Sequence, residues 1–267
     1  MSRSPLTQKP ASLSPARRVA ALLALLSPLL LAVPSPGLAA TPTILVIGDS
    51  QAGGLAGALQ RLYLHDTRYH IADRTKIGTG INTRVTYDWE AAAQKLSQER
   101  ADIAIVMFGA NDRPAVRVRG QVDPERSRIF SEVYSARIHA ILKSLRDAKM
   151  DVIWVGHPIV RDPVYAEDMA FLDRLYQDAA LTDGAQWFPT WSLVADNTGG
   201  YAAYGFGSDG LRHRLRADDG IHFTEAGYDL IANLLSPIID RLEVAREGAG
   251  RAANPPVTTT ASAKGPS

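Results

Sequence analysis

Residues Ile44 to Gln51, ILVIGDSQ, constrain this chain more than any other stretch. An uninterrupted aliphatic run that ends at a turn signal is the pattern of a strand buried on both faces. The run breaks at Gly48 and passes Asp49 and Ser50 into AGGLAGALQRLYL, where Leu55, Leu59 and Leu62 recur at helical spacing. This predicts a parallel strand feeding a helix with Ser50 at the junction, which is where open α/β sheets place their chemistry. A turn and helix cap account for the same residues, because Ser and Asp side chains accept from the free N–H groups of a helix start. A chemical role for Ser50 therefore has to be argued from the rest of the chain.

The rest repeats the alternation. RYHIADR (Arg68 to Arg74) reads as a second strand, followed by a loop holding Gly78 and Gly80 and a helix from about Asp88. DIAIVMFG (Asp102 to Gly109) is a third strand, running into Gly109-Ala110-Asn111-Asp112 and a polar loop from Arg113 to about Glu125. The next helix carries Tyr134, Ile138, Ile141, Leu142 and Leu145 on one stripe. DVIWVGHP supplies a fourth strand, YAEDMAFLDRLYQDAA a helix and AQWFPTW a fifth strand. Residues 197 to 218 are Gly- and Tyr-rich and too long for a minimal connection, a candidate binding loop. After Asp219-Gly220-Ile221-His222 a last helix, from Thr224, presents Leu230, Ile231, Leu234, Leu235, Ile238 and Leu242. Alternating strands and helices with right-handed crossovers imply a parallel five-stranded sheet covered on both faces.

Both ends of the 267-residue chain differ from this middle. Residues 1 to 40 hold Arg3, Lys9, Arg17 and Arg18 without an acid, then an apolar run from Val19 to Val33 interrupted by Pro28, then Gly37, Ala39 and Ala40. Basic, apolar, then small is the order of a cleavable secretory signal, so the expected location is exported and periplasmic, with no stable membrane span after cleavage. Cleavage near Ala40 removes four basic residues and takes the formal charge from +1 to −3, which argues against a nucleic-acid partner. There is no cysteine, and so no disulfide, thiolate metal site or cysteine nucleophile. From Gly248 the chain is rich in small residues, Pro and Thr without apolar periodicity, and residues 248 to 267 are expected to form a disordered tail. The folded domain is then 41 to 247.

Three turns hold what acyl transfer requires. A serine hydroxyl becomes a useful nucleophile when a base takes its proton; His222 suits that role, and Asp219 is spaced to orient its imidazole. Asp218 competes with Asp219 for the acid role. Asn111, a backbone N–H of the Gly78 to Gly80 turn and the N–H of Ser50 are candidate donors to an oxyanion. GDS after the first strand, a Gly turn after the second, GAND after the third and DGIH before the last helix resemble, in order, the four blocks of the SGNH (GDSL-type) serine hydrolases over residues 43 to 240.

That resemblance implies a three-layer α/β/α sandwich of flavodoxin-like topology, no cofactor and no metal. It implies Ser50 as nucleophile, Asn111 as side-chain oxyanion donor, His222 as base and Asp219 as its acid. Gly80 is the preferred oxyanion glycine, with Gly78 the alternative. The family's usual Leu after the serine is Gln51 here. The segments TGINTR, WVGHP and RADDGIHFTEAGY resemble an exported bacterial subgroup whose better-understood relatives remove or transfer O-acyl groups on carbohydrates.

The expected function is therefore hydrolysis of an O-acyl, in particular O-acetyl, ester on a cell-envelope carbohydrate or another small ester. A glycan O-acyltransferase using the same triad and a catalytically silent glycan-binding or assembly protein are the alternatives. His157, at a strand end, and Tyr201 and Tyr204, in the Gly-rich loop beside Phe206, are candidate substrate contacts. Asp112 is expected to hold its own loop by side-chain to backbone bonds. His65, His70, His139 and His213 lack metal-ligand spacing.

Overall fold

Five strands take the positions that the apolar runs mark: β1 (Thr43–Gly48), β2 (His70–Asp73), β3 (Ile103–Met107), β6 (Asp151–Val155) and β7 (Gln186–Phe188). They form one parallel sheet in the order β2-β1-β3-β6-β7. The computed structural model describes residues 41–113, 116–118, 121–123 and 126–253. The chain divides between Ala40 and Thr41. The expected signal segment, 1 to 40, lies outside the described residues.

Alternate residues of the strands point to opposite faces, and each face has its own apolar core. Ile44, Val46, Ile103, Ile105, Ile153 and Val155 pack with helices α1 (Ser50–Leu62) and α5 (Glu225–Ala253). Leu45, Ile47, Ala104, Val106, Val152 and Trp154 pack with α2 (Trp89–Leu96), α3 (Arg128–Asp147) and α4 (Pro163–Thr182). The result is the α/β/α sandwich. The helix starts are written locally: Asp88, Ser127 and Asp162 each accept from a first-turn N–H, and Pro163 begins α4.

Four expectations are corrected. The polar loop after Asp112 contains an antiparallel pair, β4 (Val116–Val118) and β5 (Gln121–Asp123), whose β-branched residues flank Arg119-Gly120. The Gly-rich segment contains a second hairpin, β8 (Tyr204–Phe206) and β9 (Arg212–Arg214). The final helix does not stop at Glu247 but continues to Ala253, because Ala249, Arg251, Ala252 and Ala253 are good helix formers that outweigh Gly248 and Gly250. The rest of the expected tail lies outside the described residues. On α5 itself, Ile231, Leu235 and Ile239 are fully buried, whereas Leu234 is 39% exposed rather than inward-facing.

Candidate active site

β1 must end at a glycine. Gly48 has φ +144°, and a Cβ there would lie 1.9 Å from the Met107 carbonyl oxygen of the adjoining strand. Asp49 then caps α1, its Oδ1 accepting from the Gln51 N–H at 2.9 Å and its Oδ2 from the Ala110 N–H at 3.2 Å. One buried carboxyl therefore ties the serine turn to the turn that follows β3. Burial raises its pKa to about 7, the backbone donors opposing that rise. Ser50 opens α1, where the first N–H groups have no partner within the helix.

Ser50 Oγ lies 2.6 Å from His222 Nε2, and His222 Nδ1 lies 2.6 Å from Asp219 Oδ2. The same Asp219 accepts from the Ile221 and His222 N–H groups at 2.8 and 2.9 Å through Oδ1. Partial burial works against its charge, but those two N–H donors and the imidazole prevail and hold the carboxyl at about 2. An ionised Asp219 accepts from Nδ1–H, so Nε2 is left as the acceptor of the serine proton. The pair remains open to solvent, with side-chain exposures of 34% for His222 and 45% for Asp219. Asp218 is engaged elsewhere, by the Arg214 guanidinium, and does not compete for the imidazole.

Asn111 Nδ2 donates to the Thr79 carbonyl at 2.9 Å, which leaves its second N–H. Asp112 is fully buried and holds the loop after β2, accepting from the Ile81 and Asn82 N–H groups at 3.1 and 2.7 Å and from the Tyr134 hydroxyl at 2.8 Å. Asp112 was expected to hold its own loop, after β3; its side chain instead fastens the loop after β2. Burial raises its pKa.

Gly80, the glycine preferred from sequence, is placed differently from that expectation. Its N–H donates to Thr83 Oγ1 at 2.7 Å, and a Cβ at this position would meet the Asp112 carboxylate at 2.3 Å. Gly80 is a glycine because Asp112 packs against it, and its donor is already used. Gly78 sits in the turn closed by the Thr79 N–H to the Lys76 carbonyl, with φ +75°. That turn is fastened beside the nucleophile by the Lys76 N–H to the Gly48 carbonyl at 2.8 Å, and the Gly78 N–H has no partner among the described residues.

His157 does not reach the surface. It is fully buried beneath Gly109, its Nδ1–H donating to the Pro158 carbonyl and its backbone N–H to Asp173. Burial lowers its pKa to about 3, with the Arg216 and His222 charges acting in the same direction. Direct substrate contact is replaced by a neutral packing role. Tyr201 lays its ring against Arg216 and Arg161, at 5.1 and 5.6 Å from the centroid. Tyr204 and Phe206, on the β8–β9 hairpin, are 55% and 71% exposed.

Two residues went unassigned from sequence. Gln51, fully buried, donates through Nε2 to the Ile221 carbonyl at 2.7 Å and accepts at Oε1 from the Tyr228 hydroxyl at 3.0 Å. Arg216, also fully buried, donates to the same Ile221 carbonyl at 2.7 Å, to the Ile159 carbonyl and, at 3.5 Å, to the His222 carbonyl. The departure from Leu at position 51 was a visible signal for the first. Nothing in RLRAD signals the second.

The α/β/α fold is that of solved GDSL-like and SGNH hydrolases. A GDSL-like lipase from Bacteroides thetaiotaomicron superposes with a TM-score of 0.54 at 13% identity, covering 75% of this chain and 89% of the lipase. The psychrotrophic esterase EstA from Pseudoalteromonas sp. gives 0.50 at 16% identity, over 74% and 97% of the two chains. A catalytic mutant of an acetylxylan esterase from Geobacillus stearothermophilus gives 0.50 at 15%, over 73% and 93%. The chain belongs to the DUF459 family, described as a protein of unknown function, whose model matches residues 43–237. No curated protein matches it in sequence.

Proposed function

We propose that this protein is an exported, periplasmic serine esterase that removes O-acyl groups, in particular O-acetyl, from a cell-envelope carbohydrate. The observation that carries the reading is the 2.6 Å approach of Ser50 Oγ to a histidine whose far nitrogen is held by an ionised aspartate. Ser50 Oγ attacks the ester carbonyl while its proton passes to His222 Nε2. The oxyanion is met by the Ser50 N–H, the second Asn111 Nδ2–H and the Gly78 N–H, which takes the place first given to Gly80. Collapse expels the alcohol, which takes the proton from His222 and leaves an acyl-Ser50 ester. Water, giving its proton to His222, then attacks that ester; Ser50 Oγ leaves, takes the proton back from His222 Nε2, and the acid is released.

The Asp219–His222 pair is open to solvent, so water can reach the acyl-enzyme. The outward-facing rings of Tyr204 and Phe206 are the aromatic faces offered to a sugar. The test is labelling with a fluorophosphonate probe together with turnover of p-nitrophenyl acetate. Labelling and turnover of the wild type, both lost in Ser50→Ala, are expected. Absence of labelling rejects the enzyme in favour of a silent binding protein. Turnover that needs an added glycan and leaves it acylated identifies the transferase.

A further inference from the structure

We propose that Gln51 and Arg216 form a clamp on the Ile221 carbonyl that sets the position of the His222 imidazole, making both positioning residues for turnover at Ser50; the proposal rests on the serine-hydrolase reading above. The Ile221 carbonyl belongs to the peptide bond that leads into His222. It accepts two donors at 2.7 Å, one from α1 and one from the segment that enters the catalytic turn. Two donors from different directions fix the plane of that peptide, and the plane sets where the His222 side chain begins. Gln51 follows Ser50 directly, so the residue beside the nucleophile holds the loop that carries the base. A leucine at 51 fills space without donating.

Arg216 makes the same argument from energetics. A wholly buried guanidinium is costly, and among the described residues no carboxylate forms an ion pair with it, Asp219 acting only at a distance. It is met instead by the carbonyls of Ile159, Ile221 and His222 and by the rings of Tyr201 and Phe223, at 5.1 and 4.8 Å. Burial lowers its pKa to about 10, so it stays charged across neutral pH. An apolar residue of that volume packs without this desolvation cost but holds none of the three carbonyls, two of which flank the catalytic histidine.

The discriminating variant is Gln51→Glu in the full chain, beside Gln51→Leu and Arg216→Lys. The new carboxylate keeps the shape and still accepts from Tyr228, but sets an oxygen against the Ile221 carbonyl. The groups around it are Asp49, Tyr228, Arg216 and the Asp219–His222 turn. With p-nitrophenyl acetate, kcat of Gln51→Glu is expected to fall about 10- to 100-fold at neutral pH, KM staying within about twofold. The deficit relative to wild type at the same pH should shrink on acidification, because the protonated carboxyl donates to Ile221 again. The low-field Nδ1 proton of His222, followed by NMR, should shift in Gln51→Glu and in Arg216→Lys.

A kcat within about twofold of wild type at every pH, or a pH-independent loss equal to that of Gln51→Leu, overturns the clamp. If the wild type itself turns over no ester, the hydrolase reading fails, and the Nδ1 proton still decides the clamp: an unshifted resonance in both variants rejects it.

Discussion

Ser50, Asn111, His222 and Asp219 are each held by a partner that prescribes its chemistry, so substitutions among them separate cleanly. On the proposed mechanism Asn111→Ala loses one oxyanion donor and should lower kcat about 10²- to 10³-fold while leaving probe labelling of Ser50 detectable, read from steady-state kinetics and gel fluorescence. Asp49 acts on stability instead. Its folded pKa, about 7, stands above the ordinary 3.8. Below about pH 4 folded and unfolded chains both hold the proton and no penalty arises. As pH rises toward about 7 the unfolded chain ionises first, so the contribution is progressively lost. The stability of wild type relative to Asp49→Asn should therefore decline between about pH 4 and pH 7, measured by urea unfolding at several pH values. That Ser50, His222 and Asp219 come together was legible from sequence, because each sits at a turn with a characteristic neighbour. The engagement of Gly80 was not, since it depends on Thr83 and Asp112 folding onto it. A buried arginine without an acid cannot be read from RLRAD at all.

At the scale of elements, the apolar runs announced the sheet, because a strand buried on both faces admits few residue types, and helical spacing announced the five α-helices of the described residues. The short hairpins β4–β5 and β8–β9 were read as loop: three-residue strands carry too little alternation to register. The inner face of α5 was drawn too wide. Leu234 and Leu235 differ by about 100° around the helix, and only the row of Ile231, Leu235 and Ile239 is fully enclosed. Leu235→Ala should cost about 2–5 kcal/mol in urea unfolding, whereas Leu234→Ala should stay within about 0.5–1 kcal/mol.

Across the whole molecule, the two cores divide the labour of the site. The layer of α1 and α5 carries the serine and lies directly behind the histidine turn. The opposite layer holds the Asn111 loop through Asp112, whose carboxylate is bonded by Tyr134 of α3, itself 2.5 Å from the Tyr176 hydroxyl of α4. Tyr134→Phe strips a donor from that buried carboxylate and should destabilise the fold by about 1–3 kcal/mol in urea melts, with Ser50 still open to the fluorophosphonate. The strand order β2-β1-β3-β6-β7 of the main sheet is compatible with right-handed crossovers; which side chains join the layers was not foreseeable. The serine and its histidine stand 172 residues apart in the chain. A nascent polypeptide accordingly cannot bring Ser50 and His222 together until nearly the entire domain has been synthesised.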